Sequence, residues 1–247
     1  MENNIFYGGH STVLIKLESA IIVTDPNLSN RIWTLKRKSK PGLTQSQLDT
    51  VNVVLISHGH YDHLDLPTIK RINRDAVVII PKGLERYFIR YGFKDVRTLT
   101  WWEQTTAHGI RILSVPARHF KGRNPLVNSL YQGYVIDGKH QIYFAGDTGW
   151  FDALKDIGKL FRLDVALLPI GAYKPWSVFG HHMTPQDCVK AMQVLNARYM
   201  IPIHWGTFKL SFEAIDEPIK WLKQSAMSAG IERSIIILNP GEHFTIT

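Results

Sequence analysis

Residues 58–65 read HGHYDHLD. Three imidazoles and a carboxylate, His58, His60, Asp62 and His63, fall within six positions just past the run VVLIS. Imidazole nitrogens and carboxylate oxygens without a thiolate suit Zn²⁺, and also Mn²⁺ or Fe²⁺. On an extended segment His58 and His60 project to the same side, where one ion can take both. Asp62 and His63, one tight turn later, point elsewhere and can begin a second site. Burying this many polar groups beside apolar strands without a shared partner is costly, which favours a metal centre over chance packing.

Other strand-like runs end in the same way. ILSVPAR leads to His119, IYFAG to Asp147, ALLPIGA into a loop ending at His181-His182, and YMIPI to His204. Ends of rigid strands can converge on one rim of a sheet and hold ligands in place before an ion arrives. His10, His108, His140 and His243 read as ordinary core or surface histidines. Cys188 falls inside a predicted helix and reads as packing.

The elements that must position these residues follow from the apolar pattern. STVLIKL and AIIVTDP predict a hairpin turning at Glu18-Ser19 and ending at Asp25-Pro26. VVLIS, AVVIIP and DVALLPIG are short continuous apolar runs, the mark of strands covered on both faces. GIRILSVPA, YQGYVIDG, QIYFAGD, YMIPIH, SIIIL and HFTIT complete the predicted strands. Helices are predicted at LPTIKRIN, GLERYFIRYG, TPQDCVKAMQVLN and EPIKWLKQSAMSAG, the third opening on Thr184 as N-cap with Pro185 at its first position. NRIWTLKRKSKPG, residues 30–42, is basic and aperiodic and reads as an exposed loop. Sheets packed together with helices outside are the expected architecture.

The totals agree with a globular α/β protein: 247 residues, 45% hydrophobic and 20% charged. A single cysteine excludes an intrachain disulfide and fits a reducing compartment. The opening residues contain no signal-peptide pattern and no apolar run is long enough to span a bilayer, so a cytoplasmic protein is expected. The net charge of +8 attracts anions without choosing among phosphate esters, nucleic acid and membrane surfaces.

SHGHYDHLD, followed in order by PARHF, AGDTG and PIHWGT, resembles the signature of the metallo-β-lactamase superfamily, and the resemblance runs from GGHSTVLIK to the final strands. It implies one domain over 1–247, a four-layer αβ/βα sandwich with a dinuclear site at one edge. It also implies that His58, His60 and His119 hold one ion, that Asp62, His63 and His204 hold the other, and that Asp147 bridges both. HGHYDHLD, ARHF, GDTGW, HHMTP and IHWGT together are most similar to the N-acylphosphatidylethanolamine-hydrolysing phospholipase D group; lactonase-like hydrolases share some of them. His60 stands where flavodiiron-type members carry Glu, and Asp147 where zinc β-lactamases carry a Cys ligand, which sets those relatives aside.

The implied reaction is hydrolysis with two divalent ions, Zn²⁺ first among them. A water between such ions has its pKa lowered from about 15.7 towards 7, and the hydroxide attacks phosphorus or a carbonyl carbon. Asp62 and His182 are the candidate catalytic residues. His182 precedes the predicted helix N-terminus at Thr184, where it can serve the leaving alkoxide or bind developing negative charge. Asp65 is expected to orient a ligand imidazole. Trp176, Phe179, Trp205 and Phe208 read either as an apolar groove for acyl chains or as packing.

The expected activity is therefore a phosphodiesterase of phospholipase D type acting on N-acylphosphatidylethanolamine-like lipids. A lactonase or thioesterase keeps the site and changes the electrophile. A nucleic-acid-binding or processing protein is disfavoured, because the cations are spread along the chain. RIWTLKRKSK reads as a solvated loop or as a segment lying on an anionic bilayer, which makes peripheral membrane contact one expectation. Homo-oligomerisation is left open.

Overall fold

The computed structural model describes residues 3–120, 130–175, 177 and 179–247. The predicted N-terminal hairpin forms: β2 (Thr12–Leu17) and β3 (Ala20–Thr24) pair antiparallel through a turn at Glu18. β1 (Asn4–Gly9) pairs with β2, and β15 (His243–Thr245) closes onto β1. β6 (Val53–Leu55), β7 (Val77–Pro81) and β8 (Asp95–Leu99) extend the sheet parallel to β3. The order is β15-β1-β2-β3-β6-β7-β8.

The second sheet contains β9 (Gln104–Ala107), β10 (Ile110–Pro116), β11 (Gln132–Asp137), β12 (Gln141–Phe144), β13 (Val165–Pro169) and β14 (Tyr199–Ile203). Their order is β14-β13-β12-β11-β10-β9, with β12, β13 and β14 parallel. The sequence pattern does not predict β8 and β9, and two of the stretches read from it take another form. The segment read as a loop contains a small hairpin, β4 (Arg31–Ile32) with β5 (Leu35–Lys36). SIIIL is not a strand; a 3₁₀ turn over Glu232–Ser234 leads into it and only Ile235 makes an isolated bridge, to Met200. The run lies beside the edge strand β14, where Ile235 bridges Met200 and Ile236 N donates to the Met200 carbonyl, but the pairing extends no further.

Alternation along the strands sorts their side chains into three apolar layers. Val53 and Leu55 join Ile136, Phe144, Val165 and Leu167 between the sheets. Val54, Ile56, Val78 and Ile80 face the other way, onto Leu48 of α1 (Gln45–Asp49), Ile69 of α2 (Leu66–Ile69) and Phe88 of α3 (Glu85–Ile89). Tyr143, Ala166 and Leu168 face α4 (Ala153–Leu160), α5 (Pro185–Leu195) and α6 (Glu217–Ala229). The result is the four-layer αβ/βα sandwich. α5 starts where predicted, with a reciprocal capping box between Thr184 and Asp187. α6 ends at Gly230, whose left-handed φ of 67° suits a residue without a Cβ. No described helix is long and apolar enough to cross a membrane.

Candidate metal centre

β3 and β6 run parallel in one sheet and β10, β12 and β14 run in one direction in the other, and their C-terminal ends meet at one edge of the sandwich. That edge receives Asp25, His58, His119, Asp147 and His204 in turn, and the loop after β6 adds His60, Asp62 and His63. Seven imidazoles and three carboxylates fall into four overlapping groups able to hold a cation: His58, His60 and His119; His10, Asp62, His63 and His204; Asp25, His58 and His63; His119, Asp147 and His182. Every residue expected as a ligand is in this cluster, and His182 is in it as well.

The hydrogen bonds decide which ring nitrogens face inward. His63 Nδ1 donates to Asp25 Oδ2 at 2.6 Å, leaving Nε2 unprotonated in the neutral ring. Ser57 Oγ donates to the same Asp25 oxygen at 2.6 Å and accepts from His58 Nδ1 at 2.9 Å, so His58 also presents Nε2. His119 Nδ1 donates to the His181 carbonyl at 3.1 Å, with the same consequence. His60 approaches with Nδ1, 2.8 Å from His58 Nε2 and 3.1 Å from His119 Nε2. Three ring nitrogens thus crowd one point with at most one proton, from His60, to share. A central cation satisfies all three.

The second group shows the same mismatch. Asp147 Oδ2 lies 3.1 Å from both His63 Nε2 and His204 Nε2, and 3.9 Å from His119 and His182. Asp62 Oδ2 lies 3.3 Å from His63 and 3.4 Å from His204. Yet His63 Nε2, His204 Nε2 and Asp147 Oδ1 are buried with no hydrogen-bond partner among the described residues. Close polar atoms that fail to bond one another, aimed at a common space, fit divalent cations.

Without metal, protons must balance the carboxylates. Burial opposes the His204 cation, but Asp147 outweighs it and pushes the pKa up to about 9. His63 moves the same way, against burial, through Asp147, Asp62 and Asp25. Burial, aided by neighbouring rings, holds His58 well below the ordinary range and His10 at about 3. Burial also lowers His182 to about 4. Burial would raise Asp62, but His63 and His10 hold it well below the usual carboxylate range.

Several expectations need correction. Asp65 orients no imidazole: it caps α2, accepting from Thr68 N, and accepts from Ser29 Oγ at 2.7 Å. The orienting carboxylate is Asp25, read from sequence only as a turn. Its signal was present, since it ends an apolar strand as Asp147 does. His10, read as ordinary, is buried with Nε2 donating to Asp62 Oδ2 at 3.0 Å and its ring 4.1 Å from that of His204. Its left-handed φ of 58°, like those of Asp25 (34°), Ala172 (59°) and His204 (60°), concentrates backbone strain at this edge.

A cavity of about 310 Å³ opens over the cluster. His60, Asp62, Asp147, His182 and His204 reach it, and its apolar lining comes from Ile32, Trp33, Leu35, Tyr61, Phe120 and Leu210. The expected aromatic lining is different. Phe208 is buried against Arg37 and His10, Trp205 donates to the Pro202 carbonyl, and Phe179 is exposed but does not line the cavity. Trp176 lies outside the described residues. Gly149 brings the loops of Asp147 and His182 together: a Cβ there would overlap the Gly180 carbonyl.

Comparison with known proteins agrees with this geometry. The family model described as a beta-lactamase superfamily domain matches residues 21–205. The N-acyl-phosphatidylethanolamine-hydrolyzing phospholipase D 1 of Caenorhabditis elegans is 35% identical, over 87% of this chain and 67% of that protein. A UPF0173 metal-dependent hydrolase of Methanopyrus kandleri is 28% identical, over 96% of each. The chain spans between about half and two thirds of the length of the curated relatives that carry the phospholipase name. Among solved structures, Igni18, a metallo hydrolase of Ignicoccus hospitalis, superposes with a TM-score of 0.77 at 24% identity, covering 100% of this chain and 99% of that one. The strand-end cluster of histidines and aspartates, the sandwich that carries it and the matched family together place this chain in the metallo-β-lactamase superfamily, as a metal-dependent hydrolase.

Proposed function

We propose that this hydrolase cleaves phosphodiesters in the manner of a phospholipase D, with an N-acylphosphatidylethanolamine-like lipid as substrate. The observation that carries the reading is the cavity: a His/Asp floor for the head group beneath aliphatic and aromatic side chains suited to acyl chains. The 35% identity to a nematode protein named for that activity supports the same substrate class.

Two divalent ions, Zn²⁺ in first place, bound at the cluster supply an activated water and neutralise charge developing on the attacked group. His58, His60 and His119 would hold one ion, Asp62, His63 and His204 the other, and Asp147 would serve both. Asp25 fixes the tautomers of His58 and His63, directly for the latter and through Ser57 for the former. Asp62 reaches the cavity as well as the cluster, where it would accept the proton of an attacking water. His182 lines the cavity and offers a ring N–H to the developing negative charge. A lipid substrate brings the protein to the cytoplasmic face of a bilayer.

Purified protein loaded with Zn²⁺ or Mn²⁺ should hydrolyse both N-acylphosphatidylethanolamine and bis(p-nitrophenyl) phosphate, and His60→Ala should abolish both activities. Failure on both substrates overturns the phosphodiesterase reading. Turnover of lactones or thioesters in their place would assign the same site to a carbonyl electrophile.

A further inference from the structure

We propose that the hairpin Arg31–Lys36, with the cations that follow it to Lys40, is a docking surface for an anionic bilayer, set at the mouth of the metal cavity. The proposal deepens the lipid reading and rests on it only for what the docked site does.

Charge is the first observation. Residues 26–48 contain no Asp or Glu but carry Arg31, Lys36, Arg37, Lys38 and Lys40, which amounts to five units of a net charge of +8. Arg31, Lys36, Lys38 and Lys40 are exposed, and none is ion-paired among the described residues. Arg37 alone is engaged inward: Nε donates to the Ser29 carbonyl at 2.8 Å and the guanidinium lies 4.8 Å from the centre of the Phe208 ring. Lys38 N donates to the Thr207 carbonyl at 2.7 Å. The base of the segment is therefore fixed to the body of the protein, while the remaining cations face water.

The second observation is the tip. Ile32 and Leu35 are partners across a two-residue turn, Trp33-Thr34. Such turns favour Gly, Asn or Asp where the backbone is left-handed. Here the residue with φ 52° is Trp33, and it is 71% exposed. Neither turn chemistry nor burial accounts for an indole at this position. Tyr61, whose ring is 4.8 Å from that of Trp33, and Leu35 are exposed beside it. Phe212, 82% exposed, stands two residues from Leu210, which lines the same cavity as Trp33.

Exposed Trp and Tyr with interspersed Lys and Arg are what an anionic interface takes, the rings at head-group depth and the cations on the lipid phosphates. Nucleic acid fits less well, because the aliphatic Ile32, Leu35 and Leu210 around Trp33 and Tyr61 offer bases neither stacking nor hydrogen bonds. Since Ile32, Trp33 and Leu35 also line the cavity, docking sets its mouth against the lipid layer. A lipid then reaches the His/Asp cluster without exposing its chains to water.

The test is co-sedimentation of the metal-loaded protein with vesicles of phosphatidylcholine alone, or of phosphatidylcholine with 30% phosphatidylserine. The protein should pellet with the anionic vesicles and be released by 0.5 M salt. Lys38→Gln/Lys40→Gln should weaken partitioning about thirtyfold while leaving turnover of soluble bis(p-nitrophenyl) phosphate unchanged. Trp33→Asn keeps a residue suited to the turn and should weaken partitioning roughly tenfold or more. A protein that stays in the supernatant, partitioning that ignores both variants, or a salt-sensitive affinity for poly(U) RNA in place of vesicles overturns the proposal. Sedimentation needs no catalysis, so the two readings fail separately. Pelleting without phosphodiester cleavage upholds the docking surface and removes the phospholipase; cleavage of soluble diesters without pelleting does the reverse.

Discussion

Asp25 and His63, 38 residues apart in the chain, meet at 2.6 Å with both side chains fully buried. The same carboxylate oxygen accepts from Ser57, which in turn accepts from His58. One aspartate outside the HGHYDH motif thus sets the protonated nitrogen of two of its histidines. Burial raises the Asp25 pKa, and the contacts with His63 and Ser57 work against that rise.

Asp25→Asn keeps the shape but can no longer enforce Nδ1–H on His63. Affinity for divalent metal should fall about 10–100-fold, a loss typical of partners that orient ligands. Chelator competition measures it, and an unchanged affinity would remove Asp25 from the site. A thermal melt of the variant separates lost affinity from lost fold.

His10 holds Asp62 through its Nε2–H, and its ring packs 4.1 Å from that of His204. His10→Ala should therefore loosen Asp62 and His204 but not His58, His60 or His119. The metal content by elemental analysis should fall from two ions towards one. Retention of both would show that His10 only fills space.

Metal uptake should release protons. Burial disfavours the His204 cation, but Asp147 raises its pKa to about 9, so the metal-free ring is charged at neutral pH. A metal takes the neutral ring, and affinity should rise with pH until about 9 and then level. Calorimetry at pH 7 in buffers of different ionisation enthalpy should read at least one proton released per protein. By the same shift, the His204–Asp147 pair stabilises the metal-free fold fully below the ordinary 6.5 and loses that contribution as pH rises through about 9.

Removing metal should lower the melting temperature, because ions that bind only the folded state stabilise it. At a hundred times the dissociation constant the effect is about 2.7 kcal/mol. A melt with and without EDTA should show the loss and its reversal on adding Zn²⁺.

Gly149→Ala tests the contact that joins two site loops. Its Cβ would meet the Gly180 backbone, so the loops of Asp147 and His182 must part. Overpacking of this kind costs about 1–3 kcal/mol. Hydrolysis should fall further than that loss of stability explains, since the shift lands on Asp147 and His182. Equal losses would confine the role of Gly149 to packing.

The amino-acid sequence by itself determined the ligand types and the strand ends that carry them. Both are local: an apolar run of four or five residues makes a buried strand, and the polar residue after it falls at the sheet's edge. The N-cap of α5 was legible for the same reason, as Thr184, Pro185 and Asp187 act within one turn. Tertiary structure alone decided which carboxylate orients the imidazoles. Asp65 lies two residues from His63 yet faces the N-terminus of α2, whereas Asp25 arrives from β3 because β3 and β6 are parallel neighbours. It also brought His10 under Asp62, turned Phe208 inward and assembled the cavity from residues as far apart as Ile32, Phe120 and Leu210. Such contacts depend on sheet order and loop closure, and no spacing along the chain encodes them.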